Sequence, residues 1–274
     1  MAKVYIGTSG WVYSDWKGAF YPQDLPQRKW LEFYGQQFKT VEVNSTFYHS
    51  MRPATFENWA KAVPDNFVFA VKASRFITHV RRLEDIKSSM IQIIEPALRM
   101  SKKLGPILFQ LPPRFKADGK RLERFLQTAS HLRGESSSHL GGGQKLRYAF
   151  EFRDPSWFDE TIYQVLRKYN AAVVIAESGG YWPSSASSSA EATDDKEAPE
   201  GKPSEEVITA DFTYIRFHGE GGSYATSYTD QELTVWAKKI KKWQEMGIDV
   251  YAYFNNDVNA FAVDNAKTLS NLIE

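Results

Sequence analysis

Short runs rich in β-branched and aromatic residues recur along the chain, and most are followed by stretches with apolar residues at helical spacing. The runs are "VYIGTS" from Val4, "TVEVNS" from Thr40, "FVFAVKA" from Phe67, "PILFQL" from Pro106, "RYAFEFR" from Arg147, "AVVIAES" from Ala172, "TYIRFHG" from Thr213 and "VYAYFNN" from Val250. Each is too short for a helix and has strand-like composition. Between them, Trp30, Phe33, Tyr34 and Phe38 share one helical face, as do Phe56, Trp59, Ala60 and Val63. Further helices are predicted over 83–104, 121–132, 158–169, 230–246 and 258–273, with Gly105 and Gly247 as stops before a strand. Only the sixth run lacks a following helix.

Strand and helix alternating eight times over this length predict a single (β/α)8 barrel covering residues 1–274. An open doubly wound sheet is the alternative, but eight strands with no edge-like, charge-blunted strand among them argue for closure.

In a barrel, alternate side chains point inward, and a charge on the other face would be buried unpaired beneath a helix. The polar residues therefore mark the inward face. They are Glu42 and Asn44, Lys72 and Ser74, Gln110, Glu151 and Arg153, Glu177, Arg216 and His218, and Tyr253 and Asn255. Each falls at the C-terminal end of its run, where barrel enzymes keep their active sites. A second reading stays open: Glu42, Glu151 and Glu177 balance Lys72, Arg153 and Arg216, a set able to form a closed ion-pair network that binds nothing.

The connecting loops add chemistry to this mouth. "SRFITHVRR" after the third run supplies Arg75, His79, Arg81 and Arg82. In "HGEGGSY" after the seventh, Gly219, Gly221 and Gly222 allow backbone amides to approach a ligand closely. "NND" after the eighth is placed to cap the helix beginning near Val258, where barrels commonly hold phosphate. The first loop, "IGTSGWVYSDWKGAFYP", holds aromatics at neither helical nor strand spacing. Trp11, Tyr13 and Trp16 are expected either to wall the mouth and stack on a ligand, or to pin the loop to "TFYHS".

Composition changes the picture in two places. The 274 residues contain no cysteine, which excludes disulfides, thiolate chemistry and Cys-ligated metal sites. The net charge of +1 is uneven: 181–206 holds seven acids against two lysines, leaving about +6 on the rest. That stretch, rich in Ser, Glu and Pro, reads as a disordered acidic insertion replacing the sixth helix. No signal-peptide pattern or membrane-length apolar run is present, so a cytoplasmic protein without a membrane partner is expected.

Taken together, "IGTSGWVYSDWKGAFYP", "VEVNSTFY", "FVFAVKASRFITH", "GPILFQLPP", "AFEFRDPSW", "YIRFHG" and "YAYFNND" resemble the YecE-like family, known as domain of unknown function 72. The resemblance covers nearly the whole chain and implies a (β/α)8 barrel with no established reaction. The chain departs from it at His49, where the family more often has arginine, and in the length of the acidic insertion.

The residues themselves support three functions. The first is an acid/base enzyme acting on a phosphorylated or otherwise anionic small molecule. Its catalytic candidates are Glu42, Lys72, Glu151 and His218, with Glu42 or Glu151 as base, His218 as acid, and Lys72 alternatively as a Schiff-base amine. Its binding candidates are Trp11, Trp16, Asn44, Gln110, Arg153, Arg216, Gly219, Gly222, Tyr253 and Asn255. The second is a metal-dependent phosphodiester hydrolase or nucleic-acid-processing enzyme, less favoured because each potential ligand shares its face with a cation and no metal-ligand spacing appears. The third is a non-catalytic ligand-binding protein. No cofactor is required by the sequence.

Overall fold

The structure, a computed structural model, describes residues 2–137, 146–177, 206–219 and 224–274. Eight parallel strands form one sheet: β1 (Val4–Thr8), β2 (Thr40–Val43), β3 (Val68–Lys72), β4 (Leu104–Gln110), β5 (Tyr148–Glu151), β6 (Ala172–Glu177), β7 (Phe212–Phe217) and β8 (Asp249–Phe254). Neighbours in space are neighbours in sequence, and β1 pairs with β8 in register from Val4–Val250 to Thr8–Phe254. This is the (β/α)8 barrel that the alternation predicts.

The remaining seam, between β1 and β2, closes through side chains and one Ser9–Glu42 bridge. The Tyr34 hydroxyl accepts from the Thr8 amide at 2.9 Å and donates to the Thr40 carbonyl at 3.1 Å, spanning the gap. A side chain at Gly7 would put Cβ 2.2 Å from the Thr40 carbonyl oxygen, so only glycine permits this approach.

Strand parity separates two apolar layers. Outward residues such as Val41, Phe69, Ile107, Phe109 and Ile215 pack beneath the helices, while Ala70, Leu108, Ala149, Tyr214 and Tyr251 fill the interior. Two positions further along the same inward face stand Lys72, Gln110, Glu151 and Arg216. The lower barrel is thus filled mainly by apolar and aromatic side chains, and the charged side chains form a layer above it.

The outer helices are α1 (Trp30–Gln37), the short α2 (Ser45–Tyr48), α3 (Pro53–Ala62), α4 (Lys87–Ala97), α5 (Gly119–Ser137), α6 (Glu160–Lys168), α7 (Asp230–Glu245) and α8 (Phe261–Ile273). Among the described residues no helix stands between β6 and β7. Apart from Glu206, which pairs with Lys239, the 181–206 segment lies outside the described residues.

Several local expectations are corrected. The helix expected over 83–104 is shorter: Leu83 and Asp85 take left-handed backbone before it, and after Ala97 the chain continues as a 3-10 segment to Lys103 with a kink at Ser101 (φ 50°). Gly105 does not stop a helix; it lies inside β4, where a Cβ would meet Val68 Cγ1 at 2.6 Å. Gly247, at φ +81°, does end α7 in the left-handed conformation. α8 begins at Phe261 with no side-chain cap, so "NND" does not cap it. Glu177 shares parity with Val173 and Ile175, which pack outward, and so does not join the inward carboxylates.

Candidate active site at the barrel mouth

The centre of the mouth is one buried guanidinium between two buried carboxylates. Arg216, 2% exposed, extends from β7 and meets Glu42 on β2 fork to fork: Nε lies 3.0 Å from Oε2 and Nη2 lies 2.9 Å from Oε1. Its Nη1 donates to Glu151 Oε2 on β5 at 2.6 Å. Bidentate geometry of this kind gives strong, directional ion pairs.

The surrounding groups complete both carboxylates. Tyr214 donates to Glu42 Oε2 at 2.7 Å, and Ser9 donates to Glu42 Oε1. Gln110 Nε2 donates to Glu151 Oε1 at 2.8 Å, and Arg153 Nε lies 3.4 Å from the same oxygen. Asn44 Nδ2 donates to Ser9 Oγ at 3.2 Å, while its buried Oδ1 has no hydrogen-bond partner among the described residues.

Burial alone would raise the Glu42 carboxyl, but the Arg216 charge and hydrogen bonds outweigh it and hold the group below the ordinary carboxylate range. For Glu151 the same opposition, burial against Arg216 and then Arg153, ends well below that range. Both are ionised at neutral pH. His218 is pushed down to about 3 by burial, then by the Arg216 charge, and is therefore a neutral imidazole. Its Nδ1 lies 3.2 Å from Asn255 Nδ2, which fixes Nδ1 as an acceptor in the assigned orientation.

Lys72 differs from every other charged group here. It is 8% exposed, and among the described residues its amine has no hydrogen bond and no carboxylate within ion-pair distance. Instead Nζ rests 4.3 Å from the centroid of the Phe47 ring. Burial and then the Arg216 charge lower it to about 7, with Glu42 and Glu151 opposing. Among the charged groups of this layer, Lys72 is the one whose proton affinity is shifted toward neutrality.

Other sequence candidates sit elsewhere. Tyr253 is fully buried and level with Arg216 in the β7–β8 register, with its hydroxyl 2.7 Å from Thr40 Oγ1. Trp16 has no exposed surface; its Nε1 donates to the Asp257 carbonyl at 2.8 Å, and it packs on Tyr13, Phe20 and Tyr21. Trp11 lies edge-on to Trp59 at 5.4 Å. These tryptophans anchor the first loop to α3 and to the segment after β8. The Gly219 amide donates to the Tyr228 hydroxyl at 2.9 Å, and Gly222 lies outside the described residues.

Sequence reasoning missed the oxygen donors Ser9 and Tyr214. Both are visible in hindsight by parity: Ser9 follows β1 directly, and Tyr214 lies two positions before Arg216. Among the described residues no group of three or more His, Asp or Glu converges as a metal site. No helix among them is long and apolar enough to cross a membrane.

Fold and site together define a (β/α)8 barrel protein with a buried carboxylate–guanidinium–carboxylate array at its C-terminal mouth. The chain belongs to the DUF72 family: the model described as "Protein of unknown function DUF72" matches residues 5–274. It is 28% identical to the UPF0759 protein YunF of Bacillus subtilis (strain 168), across 99% of this chain and 95% of that protein. It is 25% identical to the UPF0759 protein YecE of Escherichia coli (strain K12), across 88% and 82%. The crystal structure of a DUF72 family protein from Thermotoga maritima MSB8 is similar at a TM-score of 0.77 and 27% identity, covering 99% of each chain.

Proposed function

We propose that the mouth is the active site of an acid/base enzyme acting on a phosphorylated or otherwise anionic small molecule. The observation that carries this reading is Lys72: an amine near neutrality, without a partnered carboxylate, beside an array of fixed charges. A general base works best with a pKa near the operating pH, and such a group contributes about 10²–10⁴-fold.

The reading moves the proton-carrying role from Glu42, Glu151 and His218 to Lys72. The two carboxylates are held ionised by Arg216, so their part is electrostatic: when Lys72 takes a proton, the resulting ammonium lies in their field. Neutral His218 serves as a hydrogen-bonding group to a substrate oxygen rather than as an acid. Asn44 Oδ1 offers an acceptor for a substrate hydroxyl. Arg153, on the rim side of Glu151, adds positive charge for the anionic part.

The test is proton exchange. The protein is incubated in D₂O with a panel of phosphorylated aldoses and ketoses, and deuterium incorporation is followed by proton NMR. One or more members should exchange with wild type and fail to exchange with Lys72→Met. Compounds that bind without exchange or turnover would instead favour a non-catalytic binding protein.

A further inference from the structure

Lys72 and Lys103 are buried to the same degree, each 8% exposed, and are held in opposite ways. Lys103 Nζ donates to the Ala60 carbonyl at 2.7 Å and to the Val63 carbonyl at 2.8 Å, with Asp65 Oδ1 at 3.6 Å. Those are the partners a buried ammonium needs. Lys72 Nζ has no such partner among the described residues.

The reason lies in its neighbours. The Glu42 oxygens already accept from Ser9, Tyr214 and two nitrogens of Arg216. The Glu151 oxygens accept from Gln110, Arg153 and Arg216. What the amine meets instead is the Phe47 ring, 4.3 Å from Nζ to the centroid. The short α2 sets the ring there: Thr46 donates through Oγ1 to the Lys72 carbonyl at 2.6 Å and to the Val43 carbonyl at 3.2 Å, tying α2 to the ends of β3 and β2. An aromatic face attracts an ammonium, but less than the water it replaces. The Arg216 charge further opposes a second cation beside it. Nζ also keeps accessible surface, since it is not among the fully enclosed polar atoms that lack a partner.

A desolvated lysine beside another cation, with its nitrogen pair uncommitted and within reach of solvent, is the setting in which an amine attacks carbonyl carbon. We propose that Lys72 condenses with the carbonyl group of an aldehyde or ketone, so that the small molecule taken up at the mouth is a carbonyl compound held as a Schiff base. The proposal rests on the reading of the mouth as the site of an anionic small molecule with Lys72 as its reactive amine, and it names the group that this amine meets.

The nitrogen pair adds to the carbonyl carbon while the C=O π pair moves to oxygen. A nitrogen proton passes to that oxygen, and the carbinolamine expels water as nitrogen forms the C=N bond. One amine and one carbonyl thus give one imine and one water. Protonated from solvent, the imine draws electrons from the neighbouring carbon, whose proton leaves to water. Deuterium exchange therefore follows from either role of Lys72, and reductive trapping separates them.

Glycolaldehyde phosphate is the probe, with uncharged glycolaldehyde beside it. Each is incubated with the full chain and sodium cyanoborohydride, which reduces an imine to a stable secondary amine. Peptide mapping by mass spectrometry reads every lysine of the wild type at once, so the result does not depend on a variant folding. Lys72 should be labelled at least about tenfold faster at pH 7 than exposed lysines, because more of it is free amine. Lys103, equally buried but hydrogen-bonded, should stay unlabelled. The preference for Lys72 should fall between about pH 7 and 10, as ordinary amines lose their protons. Lys72→Met should lose this adduct.

Labelling of Lys72 no faster than of exposed lysines would overturn the Schiff base. Deuterium exchange that is still seen in that case, and lost in Lys72→Met, would leave the proton-transfer reading standing without it. Trapping at Lys72 by both aldehydes at equal rates would uphold the Schiff base and remove the anionic part of the reading. Faster trapping of the phosphate ester would uphold both.

Discussion

Arg216 and Glu42 meet as two planar forks, with Nε and Nη2 at 3.0 and 2.9 Å from the two carboxylate oxygens, inside a barrel where neither side chain touches bulk water. The third donor of the fork holds Glu151, so one cation serves two anions contributed by strands on different sides of the barrel. Removing it strands both. Arg216→Met should cost about 3–5 kcal/mol in urea unfolding, as breaking a buried pair does. Adding Glu42→Gln and Glu151→Gln to that variant should recover part of the loss. Additive losses with no recovery would show that the three groups are not coupled.

The lysine carries a distinct pH dependence. Its folded value of about 7 lies below the ordinary 10.5, so between these the unfolded chain binds more protons and stability must rise with pH. Below about pH 7 both states are protonated and the full penalty of the buried charge applies. Melting temperatures of wild type should therefore gain on those of Lys72→Met from about pH 7 to 10. Parallel curves would mean that the amine keeps its ordinary affinity for protons.

The carboxylates act in the opposite pH range. Their folded values are depressed below the ordinary 4.5, so their contribution is complete above that value and is lost as acid reaches the folded values. Glu151→Gln should reduce the slope of stability against pH below about 4.5. An unchanged slope would assign acid sensitivity to other groups.

Histidine 218 should not titrate in the usual range. With its value at about 3, the imidazole carbon proton shifts should stay constant from pH 8 down to about pH 5. A midpoint near 6.5 would place it in a solvated environment and return it to the role of general acid.

The seam between β1 and β2 rests on Tyr34 and Gly7. Tyr34→Phe leaves the Thr8 amide and the Thr40 carbonyl without their bridge, at a cost of about 1–3 kcal/mol for each unsatisfied buried group. Gly7→Ala forces a backbone oxygen away from 2.2 Å, and overpacking of this kind costs about 1–3 kcal/mol. Thermal melts of the two variants measure both. A neutral Gly7→Ala would show that the seam yields freely.

Much of the charged layer was legible because period-two alternation leaves a buried charge only one tolerable direction. Glu42, Lys72, Glu151 and Arg216 were found that way, and each stands on the inward face. The same rule, applied without counting residues, misplaced Glu177, which is one position out of step with Val174.

The sequence by itself determined the number of strands, their order and which residues line the upper barrel, because these follow from local periodicity and from the cost of unpaired charge. Only the tertiary structure decided the partners. Arg216 shares no local sequence with Glu42 or Glu151; whether it faces a ligand or two carboxylates depends on which strands closure sets across the barrel. Closure likewise leaves Lys72 without an ion pair among the described residues and turns Trp16 into packed core. Proton affinity and ligand geometry are properties of such distances, which local sequence pattern does not encode.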